Sequence, residues 1–218
     1  MSDAMVTIDV VSDVMCPWCY IGKRRLEAAA AALPEVALDV HWRPFQLDAT
    51  IPPEGMDRRM YLERKFGGAE AAERVYAPVR AAGEAEAIPF AFDRIRRSPN
   101  TINAHRLIRW AGQAGLQEEM VERLFRLYFI EGGDLTDNSV LAKAAAEAGM
   151  EHEVAERLLA SEADTAEVRA DIEAAQNMGI TGVPTFIVGG RYAVVGAQPA
   201  DVLAGAIAKA RADAPAPS

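Results

Sequence analysis

The sequence predicts an α/β fold in which a β–α–β unit and a β–β–α unit flank a large all-helical block. Two observations carry this. Short β-branched runs sit near the two ends of the 218-residue chain. Between them, from about residue 57 to 178, apolar residues recur at helical spacing instead.

Taken in order, residues 5–14 (MVTIDVVSDV) read as a strand stopped by Ser-Asp. IGKRRLEAAAAAL (21–33) is rich in strong helix formers, and Pro17 suits a first helical turn, where a missing N–H costs nothing. Leu33-Pro34-Glu35 ends that helix. VALDVHW (36–42) alternates apolar and polar residues and reads as a second strand, parallel to the first through a right-handed crossover. Residues 43–56 are a proline-rich loop. Five to seven helices follow with no convincing strand, separated at Gly67-Gly68, Gly115 and Gly132-Gly133. Thr136, Asn138, Asn100 and Thr101 are candidate N-caps. TFIVGG and RYAVVG form a hairpin joined at Gly189-Gly190, and Pro199 opens a last helix. Residues 1–50 with 180–212 are thus expected to form one discontinuous domain, 51–179 a helical insertion, and 213–218 a disordered tail.

Half the residues are hydrophobic and a quarter charged, so the chain can bury a core without disulfide staples. The net charge of -9 argues against a nucleic-acid partner, since nothing offsets phosphate repulsion. No apolar run approaches the roughly 20 residues that span a bilayer. The start, MSDAMVTIDVV, lacks the basic and apolar regions of a secretory signal, and the expected location is the cytoplasm.

The two cysteines, Cys16 and Cys19, lie in VMCPWCYIG, where a strand ends and a helix begins. A helix N-terminus presents unpaired N–H groups and partial positive charge, which favour thiolate at Cys16. Cys19, one turn on, is expected to be more buried and less reactive. That is an arrangement for thiol–disulfide exchange, with Cys16 attacking and Cys19 resolving. Pro17 stiffens the turn. Trp18 adds an apolar surface but no cation, so the couple is expected to be less oxidising than one with Cys-Pro-His-Cys. A zinc site would need four ligands, and His41, His105 and His152 supply no matching second pair, so no metal is expected.

Far along the chain stands GITGVPTF (179–186). Most X–Pro bonds are trans. Beside a Cys-x-x-Cys pair, a cis Val183–Pro184 bond would free the Val183 backbone to pair with an extended substrate, and Pro184 would set a donor-free wall against the sulfurs.

With these two motifs in this order the chain resembles the DsbA family. SDVMCPWCYIGKRRLE, WRPFQL, SPNTINAHRLIRWA and GITGVPTFIVGGRYAVVGAQ resemble its FrnE-like branch, related to the 2-hydroxychromene-2-carboxylate isomerases and kappa-class glutathione transferases. The resemblance spans about residues 5–210. It implies a thioredoxin fold interrupted by a helical domain. In the isomerase relatives a serine stands at the position of Cys16 and the second cysteine is missing, so the thiol pair here favours redox chemistry.

The resemblance implies disulfide-containing or unfolded proteins as substrates, with glutathione as electron partner or co-substrate and no cofactor required. The chain is expected to be a monomer or homodimer. Substrate contacts are assigned to Pro17, Trp18, Val183 and Pro184. Asp13, three residues before Cys16, is a candidate for tuning the thiol or relaying a proton; its plain alternative is a strand-end acid bonded to backbone. Asn103 and His105 lie in the region that approaches the thiol site in glutathione-using relatives; otherwise they are packed or surface helix residues. Arg94, Arg96 and Arg97 suit an acidic ligand or a solvated face. Two rival functions stand beside redox exchange: a glutathione-dependent isomerase or transferase for a small aromatic or polyketide substrate, and a chaperone-like module using the surface around Trp18.

Overall fold

The computed structural model describes residues 5–214. A four-stranded mixed sheet has the order β2-β1-β5-β6. Strand β1 (Val6–Ser12) is interior: Val6, Ile8 and Val10 alternate with half-buried Thr7 and Asp9, and from Val10 to Ser12 both faces are buried. It ends two residues before the expected boundary, because residues 13–15 turn into the helix and the Cys16 N–H donates to the Asp13 carbonyl. Helix α1 is Pro17–Ala31, with proline in its first turn. Strand β2 (Leu38–Pro44) runs parallel to β1 with Val10 opposite Trp42. As an edge strand it tolerates the terminal Pro44.

The edge of β2 is blocked at one residue. The Gln117 side-chain amide accepts from the Trp42 N–H at 2.9 Å and donates to the Trp42 carbonyl at 3.3 Å. One side chain thus takes up both backbone groups of Trp42, blocking strand pairing at that point of the edge.

The next segment holds β3 (Met56–Asp57), α2 (Arg58–Phe66), α3 (Ala69–Ala85), β4 (Arg97–Ser98), α4 (Ile102–Gln113), α5 (Gln117–Arg126), α6 (Asn138–Glu147), α7 (His152–Leu159) and α8 (Thr165–Asn177). A π-helical turn, Leu127–Glu131, prolongs α5. The expectation of no strand here is corrected: β3 and β4 pair antiparallel, Met56 opposite Ser98. Two residues per strand are too few for any period to show. The caps of α6 are corrected too. Asp137, not Thr136 or Asn138, accepts the Ser139 N–H at 2.8 Å, while Thr136 Oγ1 donates to Asp134 at 2.7 Å. Thr101 stands at the N-cap of α4 without using its hydroxyl, and Asn100 Oδ1 accepts the Ile102 N–H instead.

The chain returns to the sheet as β5 (Thr185–Val188) and β6 (Tyr192–Val195), with β5 antiparallel to β1. Gly189 and Gly190 both have positive φ, the conformation a tight hairpin turn asks of its two central residues. Helix α9 (Ala200–Ala212) packs on α1 and buries Leu203 and Ile207. Asp213, first residue of the expected tail, caps α9 and bonds to Arg191 and Tyr192; 215–218 lie outside the described residues.

One hydrophobic cluster runs from the sheet through α1 into the helical block. Tyr20 stacks on Phe125 at 5.0 Å between centroids, and Phe125 meets Phe129 at 6.2 Å. Trp42 and Trp110 are buried as expected, each with its indole N–H on a carboxylate: Glu118 at 2.7 Å and Asp164 at 2.5 Å.

Candidate active site

Cys16 is the N-cap of α1, with extended backbone, and Pro17 takes the first helical position. The Cys19 N–H donates to the Cys16 carbonyl at 3.0 Å, closing the first turn. Residues three apart share a helix face, which sets the two sulfurs side by side. Both are free thiols. Cys16 is 4% exposed and Cys19 fully enclosed, in the expected order.

The Cys16 thiol donates to the Val183 carbonyl at 3.6 Å, across 167 residues of sequence. The Val183–Pro184 bond is cis. Gly22 makes this approach sterically feasible. A Cβ there would lie 2.9 Å from Pro184 Cγ, closer than real Cβ contacts come, and a tight 3.1 Å from Phe186 Cζ. Glycine inside a helix costs about 1 kcal/mol against alanine, and here that loss secures close packing of α1 on the proline loop. Trp18 is half-buried and packs against the core, so part of its ring remains at the surface.

Burial, and then the neighbouring Cys16, push the Cys19 thiol well above its ordinary range; the Ser12 hydroxyl and the Asp13 backbone pull weakly the other way. Cys19 therefore holds its proton until something takes it.

Asp13 is fully buried. Its Oδ2 accepts the Leu47 N–H at 2.8 Å, and its Oδ1 lies 3.5 Å from both the Met15 N–H nitrogen and His105 Nε2. His105 Nε2 donates to the Phe45 carbonyl at 2.8 Å. A carbonyl only accepts, so this nitrogen carries a hydrogen. The fold thus brings Asp13 and His105 together directly behind the cysteine turn. Asn103 stands apart from them: it donates to Asn138 at 2.9 Å and accepts from Arg106 at 2.8 Å, tying α4 to α6. Arg97 is held by Asp134 and the Glu54 carbonyl, while Arg94 and Arg96 are exposed.

A polar cavity of about 640 Å³ opens between β2, α4, α5 and α8, and His105 is in its wall; neither cysteine is. A second cavity of about 10 Å³ lies beside it, lined by Ser12 and again His105. Among the described residues no group of three His, Cys, Asp or Glu is arranged to hold a metal. Nor, among them, is any helix long and apolar enough to cross a membrane. Ser12 and Gly22 are site residues that sequence reasoning passed over. A glycine one turn past the second cysteine, amid strong helix formers, was the visible signal for Gly22. Ser12 carried none.

A family model described as the DSBA-like thioredoxin domain matches residues 7–208, and the chain belongs to that family of oxidoreductases. The probable DsbA oxidoreductase SCO1869 from Streptomyces coelicolor superposes with a TM-score of 0.88 at 31% identity, over 98% of this chain and 93% of that one. A 2-hydroxychromene-2-carboxylate isomerase superposes at 0.72 with 17% identity, over 93% and 95% of the two chains. The cytosolic disulfide reductase DsbM from Pseudomonas aeruginosa, solved with GSH, gives 0.61 and 23%, over 94% and 96%. At these lower identities the likeness is one of fold. The neighbours match the FrnE-like branch that the motifs resemble.

Proposed function

We propose that this protein is a cytoplasmic thiol–disulfide oxidoreductase, with isomerase capacity, acting through a mixed disulfide on Cys16. One observation carries the reading: the Cys16 thiol sits at the open end of α1 against the Val183 carbonyl, with Cys19 enclosed one turn behind.

In the reducing direction, the Cys16 thiolate attacks one sulfur of a substrate disulfide. That S–S bond breaks, and the far sulfur leaves with the electron pair and takes a proton. Cys19, deprotonated, then attacks Cys16 Sγ. The second substrate sulfur leaves, and two electrons have passed from the cysteine pair to the substrate. Oxidation of a dithiol runs the same steps backwards. Val183 offers backbone to an extended substrate segment and Trp18 an apolar contact. No cofactor is needed. Glutathione is the proposed small-thiol partner, supported by the shared fold of DsbM, whose structure holds GSH. A lone Cys-x-x-Cys pair suits exchange in a reducing compartment better than a structural staple does.

The test is the redox equilibrium of the pair against glutathione buffers, followed by Trp18 fluorescence, with Cys16→Ser as control. A reversible two-electron transition is expected. A folded protein with no transition would overturn the reading and favour glutathione-dependent isomerisation of a small molecule, in which activity would survive Cys19→Ser. Holdase activity unchanged without either thiol would favour a chaperone-like module.

A further inference from the structure

We infer that the cavity around Arg58, in the helical block, is a binding site for a small carboxylic acid with an apolar body, its carboxylate taken by the buried guanidinium. The inference does not depend on the cysteine chemistry. The cavity measures about 290 Å³ and lies between α2, α3 and the turn at Phe92–Arg94. That is the low end of the range for small-molecule sites, about 300–1,000 Å³. None of its walls belongs to the cysteine turn or to the loop before β5.

Arg58 opens α2 and is 5% exposed. Arginine is not deprotonated inside proteins, and buried charges are ordinarily paired. Arg58 has no such pair: among the described residues no carboxylate reaches it. Asp57 beside it accepts the Met60 N–H at 2.9 Å instead. The two hydrogen bonds of Arg58 go to neutral phenols, Tyr128 and Tyr76, both at 3.1 Å. The rings of Tyr76, Phe92 and Tyr128 lie 5.4, 5.8 and 5.8 Å from its guanidinium carbon. Aromatic faces attract a buried cation but bring no net charge to cancel it. Two of the five guanidinium N–H groups are thus used, and the other three have no acceptor among the described residues. The Tyr76 hydroxyl accepts from Arg58 and donates to nothing among them. Arg58 and Tyr76 both line the cavity, so the two residues with spare donors border the space an anion would fill.

The class of ligand follows from the rest of the wall. Leu62, Ala72, Tyr76 and Phe92 offer apolar surface. The more exposed charges are Arg59 and Arg80 against Glu63, Glu73 and Asp93, with Glu73 paired to Arg80 at 2.7 Å. Three carboxylates against two cations disfavour a dianion such as phosphate. A single carboxylate fits the planar fork of one arginine. A purely structural Arg58 would brace α2 against Tyr128 and bind no anion.

The experiment is calorimetric titration of the full-length protein with phenylacetate in low-salt buffer, beside its neutral isostere phenylacetamide. Saturable binding of phenylacetate at one site is expected, at least about tenfold tighter than phenylacetamide, the scale of a hydrogen-bonded charge. Arg58→Met is expected to erase that preference. Ala69→Phe places a ring at the cavity wall from an exposed position on α3 and leaves Arg58 untouched; it is expected to abolish binding, and it decides should Arg58→Met fail to fold. No saturable binding to the wild type, equal binding of the two probes, or unchanged phenylacetate affinity in either variant overturns the inference. Inorganic phosphate binding more tightly than phenylacetate overturns the class of ligand assigned.

Discussion

The division of labour between Cys16 and Cys19 is set by less than one helical turn of chain. The first sulfur faces the Val183 carbonyl, and the second is sealed by the core and keeps its proton. Removal of the second thiol should therefore stall the reaction midway. In Cys19→Ser, incubation with oxidised glutathione is expected to leave a lasting one-glutathione adduct on Cys16, and in Cys16→Ser none; intact-mass measurement checks both. Disulfide turnover in Cys19→Ser is expected to fall by at least about a hundredfold, since the step lost is nucleophilic displacement by a placed group. At this scale the cysteines were legible in the sequence because their chemistry and spacing are local. Asp13 and His105 were legible only as separate candidates. Nothing local states that residue 105 returns to lie 3.5 Å from residue 13.

At the scale of elements, α1 is held to the proline loop by the absence of a side chain. Gly22→Ala would force the helix from Pro184 and Phe186. It is expected to destabilise by about 1–3 kcal/mol, the usual range for overpacking, despite alanine's better helix propensity, and to slow adduct formation at Cys16 as the Val183 contact loosens. Thermal unfolding and the single-turnover rate check the two effects. The β2 edge gives a second case. Gln117→Ala removes both hydrogen bonds to Trp42 and is expected to cost about 1 kcal/mol, a typical net value for such bonds. It should also raise self-association, read by light scattering, because an uncovered edge pairs with other strands. Helices and longer strands were readable from period and propensity. The β3–β4 ribbon was not, since its two partners are some forty residues apart and too short for a pattern.

Across the whole molecule, α1 and α5 are joined by a cluster of charges beneath the aromatic stack. Lys23, 3% exposed, meets Glu118 at 2.5 Å and Glu122 at 3.2 Å, and also pairs with Glu27. Arg24 reaches Glu122 at 2.6 Å. Burial pushes Glu122 upward, but Arg24 and Lys23 outweigh it and hold the carboxyl below its ordinary 4.5. A depressed carboxylate contributes stability that is present above its unfolded value and is lost as pH falls through its folded one. The melting temperature is therefore expected to drop below pH 4.5, and to drop less in Glu122→Gln, which has no proton to take up. Equal acid sensitivity in the two proteins would show that this cluster does not carry the effect.

The sequence by itself determined the order of elements, the helical block between two sheet-forming ends, and the thiol pair with its proline partner. Each is written in residues a few positions apart, where propensity and period act directly. Tertiary structure alone decided that Val183 meets Cys16, that Gly22 admits Pro184, that Gln117 pairs with Trp42 at the β2 edge, and that Asp13 and His105 meet behind the cysteine turn. Those contacts join segments tens to more than a hundred residues apart. Their distances follow from how one continuous core packs, and no short stretch of chain contains that information.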